Sequence, residues 1–158
     1  MYNIGDKVVY PIHGAGIIET IEEKEVLGEK NKYYVLRIPL GDMRVMIPID
    51  NTESHNIRPV IALREIEKVL LALSAQATEM NRNWNQRYRE NEKKIREGNI
   101  MDITDIVRNL TVTDRTKKLS PGEKKILANA RHMLTSELML VFDATEPEID
   151  KLIDKLIK

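Results

Sequence analysis

Two patterns of apolar residues follow one another along the chain. In the first 53 residues apolar and polar positions alternate in short runs separated by glycine, proline and polar turns, which is typical of half-buried strands. The predicted strands cover residues 7–10, 17–27, 32–38 and 43–47, with a short fifth strand near Ile57. The side chains expected to face inward from the third and fourth strands are Tyr34, Leu36, Ile38, Met43, Val45 and Ile47. Short strands joined by tight turns predict a small antiparallel barrel of the Tudor or SH3 type.

From Pro59 onward the apolar residues recur at helical spacing instead. Residues 60–73 form the first helical stripe, and Gly98 is placed to end the second helix as a C-terminal cap. The first turns of three later helices are marked by Asn99 with Asp102, by Ser120 with Pro121 and Glu123, and by Thr145 with Glu148. The pattern predicts an α+β protein of two domains, with the β-barrel at 1–56 and an all-α bundle of about five helices at 57–158.

Composition narrows the class of protein. The 158 residues include no cysteine, which excludes disulfides and thiolate metal sites. No apolar run approaches the roughly 18 residues of a membrane span, and the N-terminus MYNIGDK lacks the basic and apolar regions of a signal peptide, so we expect a cytoplasmic protein with no membrane partner. Residues 80–131 hold 13 basic and 7 acidic side chains between acidic ends. Such a block can orient a protein on a polyanion, although an ordinary solvated helical surface would show the same excess.

Sequence motifs of enzymes are absent. The chain has no GxxxxGK[ST] or GxGxxG phosphate-binding loop, and its three histidines accompany no candidate serine nucleophile. His13 and His55 lie far apart in sequence without a ligand cluster, so no metal site is predicted. Asp102 and Asp105 suit the first turn of a helix rather than acid–base chemistry. We therefore predict a non-enzyme without cofactor, metal or small-molecule substrate.

The stretch 79–99 contains the only tryptophan, Trp84, in a run rich in lysine and arginine. A flat ring among cations suits a nucleic-acid surface, because cations hold phosphates and an apolar wedge can enter a base step from the minor groove. The alternative is a buried stripe, since Met80, Trp84, Tyr88 and Ile95 follow helical spacing. On that alternative the protein would be a protein-interaction adaptor with no role on DNA.

A third hypothesis concerns the tyrosines of the β half. Four of them could line an aromatic cage for a methylated lysine, namely Tyr2, Tyr10, Tyr33 and Tyr34. Tyrosines that alternate along half-buried strands more often serve packing, which makes this the weakest of the three hypotheses.

Four stretches of the sequence resemble the CarD/CdnL family of bacterial transcription regulators. They are GDKVVYPIHGAG at 5–16, GDMRVMIP at 41–48, NWNQRYRENEKKIREGN at 83–99 and LSPGEKKILANAR at 119–131. The first stretch is shared with the polymerase-interacting module of transcription-repair coupling factor, and the last two make the match specific to the two-domain regulators. The resemblance extends over nearly the whole chain.

The resemblance implies a function in two parts. The β domain would add an edge strand to the β subunit of RNA polymerase, and the helical domain would lie over promoter DNA at the upstream edge of the transcription bubble, with little sequence specificity. A tryptophan wedged into the minor groove would slow bubble collapse and so stabilise the open promoter complex. The protein would be associated with the nucleoid through RNA polymerase.

The family's functional positions can be matched residue by residue. The resemblance assigns the DNA-facing positions to Trp84, Arg87, Arg89 and Lys124. It assigns the polymerase-facing positions to Lys24, Val26, Met46 and Arg44. Met46 replaces an arginine found in some members, and Arg44, on the same face of its strand, is the candidate to compensate for the missing charge.

Overall fold

An antiparallel sheet precedes a set of helices in the computed structural model, which describes residues 1–52 and 54–158. The strands in this part of the chain are β1 (Lys7–Tyr10), β2 (Gly14–Val26), β3 (Glu29–Ile38), β4 (Met43–Pro48) and β5 (Arg58–Pro59), in the sheet order β4-β3-β2-β1-β5. The α-helices are α1 (Ile66–Ser74), α2 (Trp84–Glu97), α3 (Ile100–Thr116), α4 (Pro121–Phe142) and α5 (Glu146–Leu156). Short 3₁₀ helices lie at Ile49–Asn51 and Leu63–Glu65. The predicted α+β class is confirmed.

Strands β2 and β3 form a long hairpin whose outer half is exposed to solvent. Leu27 and Gly28 make its turn with φ angles of 53° and 80°. Two consecutive residues with positive φ are typical of a tight type I′ turn, so β3 begins at Glu29 rather than at the predicted residue 32. Strand β2 also begins earlier than predicted, because Gly14 already pairs with Tyr10 across the first hairpin.

The alternation predicted for β3 and β4 is confirmed at most positions. Tyr34, Leu36 and Ile38 are at most 1% exposed, and Ile47 is fully buried beside them in the core of the sheet. The inward prediction for Met43 is wrong, because its side chain is 38% exposed. Met43 is the first residue of edge strand β4 and follows directly on the turn at Asp42, so it lies at the margin of the core.

The sheet and the helices share one buried cluster. Val9 and Ala15 belong to the same apolar core as Leu134 and Leu138 of α4. The backbone N–H of Ala15 also donates to Ser136 Oγ at 2.8 Å, which attaches β2 directly to α4. Strand β5 begins two residues after residue 56 and pairs with β1, so the sheet continues past the predicted end of the first domain. The division of the chain at 56 and 57 stays a prediction.

The helix starts depend on side-chain caps. Asn99 accepts from the backbone N–H groups of Met101 and Asp102, and Thr145 forms a reciprocal capping box with Glu148. Helix α2 begins at Trp84, after the cap Asn83, and ends as predicted at Gly98, whose φ is 75°. The preceding segment 75–83 is not helical. These starts place Trp84 at the exposed first turn of α2.

Candidate nucleic-acid interface

Trp84 is the first residue of α2 and is 46% exposed. The helical stripe that suggested a buried tryptophan is buried only at its far end, where Ile95 is 4% exposed. Met80 and Tyr88 are partly buried and pack against the main core, whereas Trp84 extends beyond it. The alternative of a core tryptophan is therefore wrong, because Trp84 begins α2 at an end of the helix that the core does not cover.

The exposed indole is nevertheless held in place. Its ring stacks on the ring of Tyr88 with a centroid distance of 5.8 Å and an angle of 25° between the planes. Its Nε1–H donates to Ser120 Oγ at 3.3 Å, and the same oxygen accepts from the backbone N–H of Glu123 at 3.2 Å. A Cβ on Gly122 would lie 3.2 Å from the Tyr88 ring and 3.9 Å from the Trp84 ring. The first turn of α4 therefore forms the support for the aromatic pair.

Arg87 is bonded inside the protein. Its side chain is 20% exposed, and its Nε donates to Oε1 of Glu123, whose side chain is 5% exposed. Its Nη1 also donates to the Asn81 carbonyl at 3.3 Å. The prediction that Glu123 completes a capping box with Ser120 is half right. Ser120 Oγ accepts from the Glu123 backbone, but the Glu123 carboxylate binds the Arg87 guanidinium, because a charged donor makes the stronger hydrogen bond.

The other predicted DNA-facing cations lie on the surface. The side chains of Arg89 on α2 and Lys124 on α4 are exposed. Two further exposed cations, Lys117 and Lys118, lie three and two residues before the Ser120 that bonds Trp84. Chain connectivity keeps their Cα atoms within about 11 Å of Ser120. The sequence signal for them was the Lys-Lys pair before the α4 cap, which sequence reasoning left unassigned.

The predicted polymerase-facing residues share one face of the sheet but form two groups. Lys24 and Val26 are exposed on the outer half of the long hairpin and pair with Asn31 and Glu29 of β3. Met46 is half-buried and pairs with Val35, which lies about 13 Å farther along β3 than Asn31. All these β3 partners have odd numbers, so their side chains face away from Tyr34, Leu36 and Ile38.

Arg44 already has a partner within the sheet. It pairs with Arg37 in register, and its guanidinium donates to Glu19 at 2.9 and 3.3 Å on the exposed surface. The hydrogen bond from Arg44 lowers the pKa of the Glu19 carboxyl. A polymerase contact through Arg44 would therefore have to replace or share this ion pair.

The tyrosines of the β half do not form a common cage. Tyr34 is buried, and its hydroxyl accepts from the backbone N–H of Tyr2 at 2.9 Å. Tyr33 lies on the opposite face of β3 from Tyr34, as neighbouring strand residues do. Tyr10 instead contacts the ring of His13 at a tilt of 40°, with a centroid distance of 4.3 Å. The described contacts therefore give no support to the methyl-lysine hypothesis.

The three histidines converge at the junction of sheet and helices, which the sequence did not predict. Tyr10 contacts the rings of both His13 and His55, with centroid distances of 4.3 and 5.8 Å. His132 Nε2 bonds the His13 carbonyl at 2.8 Å. Burial lowers the pKa of His13, and the nearby His132 and His55 lower it further. Among the described residues no group of three or more His, Cys, Asp or Glu side chains is arranged to hold a metal ion.

The α-helices of residues 1–52 and 54–158 give no sign of a membrane segment. None of them combines the length and the apolar character that crossing a bilayer requires.

An exposed, supported indole beside solvent-facing cations defines a candidate surface for nucleic acid, and comparisons with known proteins identify the family. Residues 2–61 match the CarD-like/TRCF RID domain, and residues 68–154 match the CarD C-terminal domain. The chain is 43% identical over 149 residues to "Putative transcription factor YdeB" of Bacillus subtilis (strain 168), covering 94% of this chain and 97% of that protein. The chain belongs to the CarD family, also called CarD/CdnL.

A solved structure of a family domain also matches in sequence. It is the solution NMR structure of the 72-residue N-terminal domain of Myxococcus xanthus CarD. The match is 30% identical and covers 37% of this chain and 79% of that one, with a TM-score of 0.33.

Proposed function

We propose that this CarD-family chain is a non-catalytic transcription regulator that interacts with RNA polymerase and stabilises the open promoter complex. In this proposal the β-sheet domain binds the β subunit, and Trp84 wedges into the minor groove at the upstream edge of the bubble. The observation that carries the proposal is the 46% exposure of an indole that is held on two sides by Tyr88 and Ser120. Its location in the cell would be the cytoplasm, at the nucleoid, through RNA polymerase.

An aromatic ring whose orientation is fixed by its neighbours is well suited to insertion between base pairs. Inserting an apolar side chain between base steps requires unstacking, which costs about a few kcal/mol per step. A ring whose orientation is already fixed loses little conformational entropy on insertion, so more of the contact energy remains to oppose restacking. The wedge reads little sequence, because every base step offers a stacking surface.

Phosphate contacts in this proposal come from exposed cations on the two helices that hold the wedge and on the segment before α4. Arg89 and Lys124 are exposed on α2 and α4, and Lys117 and Lys118 extend the positive surface along the approach to Ser120. Arg87 remains a candidate by family position, although two of its nitrogens are bonded to Glu123 and Asn81. Such contacts would orient the protein on the duplex without specifying bases.

The polymerase contact is proposed to use the sheet. Strand β4 forms one edge of the sheet order, and an edge strand offers unpaired backbone groups to which a partner strand can add. Lys24 and Val26 are exposed on the same sheet face as Met46 and Arg44, where they could contribute side-chain contacts beside the added strand.

The proposal is tested with the single substitution Trp84→Ala. We expect polymerase binding to stay near the wild-type value and the lifetime of open complexes to shorten, by roughly tenfold for each 1.4 kcal/mol of lost stabilisation. Trp84→Phe should retain part of the lifetime. A matched control is Phe142→Ala, which removes another partly exposed aromatic ring far along α4.

The same variants separate the wedge from the adaptor alternative. The adaptor alternative gives Trp84 no role on DNA, so it predicts that Trp84→Ala leaves the lifetime of open complexes unchanged. Near-native thermal melting together with faster open-complex decay supports the wedge. Unchanged decay with Trp84→Ala would overturn the proposed function.

A further inference from the structure

The first turns of α2 and α4 are joined by two side-chain contacts, and a third hydrogen bond within α4 links the two residues that receive them. Trp84 and Arg87 lie three residues apart on α2, and Ser120 and Glu123 lie three residues apart at the start of α4. Trp84 donates to Ser120, Arg87 donates to Glu123, and the Glu123 backbone N–H donates to Ser120. A spacing of three residues corresponds to about 4.5 Å along a helix, so the two attachments are about one turn apart on each side.

The two contacts between α2 and α4 together restrain the orientation of the first turn of α2. The indole itself is attached to α4 by one hydrogen bond, from its Nε1–H to Ser120 Oγ at 3.3 Å. The ion pair between Arg87 and the buried Glu123 carboxylate adds a second attachment between the same two helices, so the two together restrain the first turn of α2 more than either does alone. Glu123 is also well placed for this role, because a carboxylate in the first turn of a helix is stabilised by the helix dipole.

We infer that Arg87 is a positioning residue, which together with Glu123 sets the orientation of Trp84, rather than a residue that binds DNA phosphate. The burial of the Glu123 side chain and the engagement of Arg87 Nε and Nη1 support this assignment. The inference rests on the proposed wedge function for its consequence on DNA, but the orientation of the indole is a property of the free protein and can be measured alone.

The two roles of Arg87 predict effects of opposite sign for Glu123→Gln. If Arg87 faced phosphate, removing the neighbouring negative charge would strengthen attraction to DNA and lengthen open-complex lifetime. If the ion pair positions Trp84, the same change loosens the wedge and shortens the lifetime. Glu92→Gln is the matched control. Glu92 pairs with Arg96 on the exposed surface of α2, the helix that carries Trp84, and its substitution removes the same charge.

The experiment measures iodide quenching of Trp84 fluorescence and open-complex lifetime for Arg87→Gln, Glu123→Gln and the double variant. We expect quenching to increase in both single variants and to stay unchanged in Glu92→Gln. We expect the lifetimes of the single variants to shorten, with the double variant about threefold or more away from the product of the two effects, since paired residues are not additive. The double variant also removes the unpaired carboxylate that would destabilise Arg87→Gln.

The salt dependence of DNA binding tests the opposite assignment, in which Arg87 binds phosphate. A phosphate contact contributes to the salt dependence of affinity for duplex DNA, so losing one should reduce the slope of the logarithmic plot by about 1. An Arg87→Gln slope reduced by this amount, or unchanged quenching in both single variants, would overturn the inference. If instead Trp84→Ala leaves open-complex lifetime unchanged while quenching responds as expected, the proposed function fails and the positioning inference stands.

Discussion

Arg58 of β5 and Glu137 of α4 form a bidentate ion pair. The Arg58 Nη2 donates to Glu137 Oε1 at 2.7 Å, and its Nη1 donates to Glu137 Oε2 at 2.8 Å. Glu137 is almost fully buried, and its Oε2 also accepts from the backbone N–H of Ile61 at 2.8 Å. The pair joins the last strand of the sheet to the middle of the longest helix. It therefore fixes how the sheet, which is proposed to face the polymerase, and the helices, which are proposed to face DNA, are oriented with respect to one another.

Glu137→Ala should lower the free energy of unfolding by about 3 kcal/mol, because it leaves the Arg58 charge without its carboxylate partner and the Ile61 N–H without its acceptor. Urea unfolding followed by circular dichroism measures this. The comparison is Glu92→Gln, whose exposed ion pair should contribute less than about 1 kcal/mol. Equal costs for the two variants would mean that burial of Glu137 does not govern the energy of its ion pair.

Gly98 is expected to tolerate no side chain. Its φ is 75°, and an added Cβ would lie 2.6 Å from Pro11 Cγ, so Gly98→Ala combines backbone strain with a clash at the sheet–helix junction. We expect a loss of roughly 2–4 kcal/mol in unfolding free energy. Gly28 is the control, since its φ is 80° but nothing lies within 4 Å of an added Cβ. Gly28→Ala should show the strain alone, roughly 1–2 kcal/mol.

Stability should depend on pH through His13. Burial, followed by the positive charges of His132 and His55, lowers the pKa of His13 from its ordinary value of 6.5. The unfolded chain therefore takes up a proton at a higher pH than the folded chain does. The folded state is favoured fully above the unfolded pKa, and this contribution is lost as the pH falls toward the folded pKa.

We expect the melting temperature to fall as the pH is lowered through 6.5, the ordinary pKa of histidine, and to fall less steeply in His13→Gln. Differential scanning calorimetry at constant ionic strength measures both profiles. An identical pH profile for the variant and the wild-type protein would show that His13 does not carry the effect.

Lys24→Glu should weaken the proposed polymerase contact. A charge at the rim of an interface contributes about 1 kcal/mol, so reversal of the charge should raise the Kd by about fivefold. Surface plasmon resonance with the 158-residue chain and RNA polymerase measures the change. Lys30→Glu is the control on the same hairpin, because Lys30 occupies an even position of β3 and so lies on the other sheet face. If both variants bind equally well, the assignment of this face to the polymerase is wrong.

Local signals in the sequence were sufficient for much of the fold. Strand alternation placed Tyr34, Leu36 and Ile38 correctly, and the caps at Asn99, Ser120 and Thr145 marked true helix starts. These features depend on residues a few positions apart, whose steric and hydrogen-bonding preferences act within one turn or one strand. The exposed cations Arg89 and Lys124 and the family motifs could also be identified from the sequence alone.

Only the tertiary structure decided which partners distant residues would find. The local sequence predicted that the Glu123 side chain caps α4, but the carboxylate binds Arg87, 36 residues away, because folding brings a guanidinium within reach of it. The exposure of Trp84 was settled in the same way, by where α2 starts relative to the shared core. Helical spacing states which residues share a face, but whether that face is covered depends on how the neighbouring elements pack, and this is a property of the whole fold.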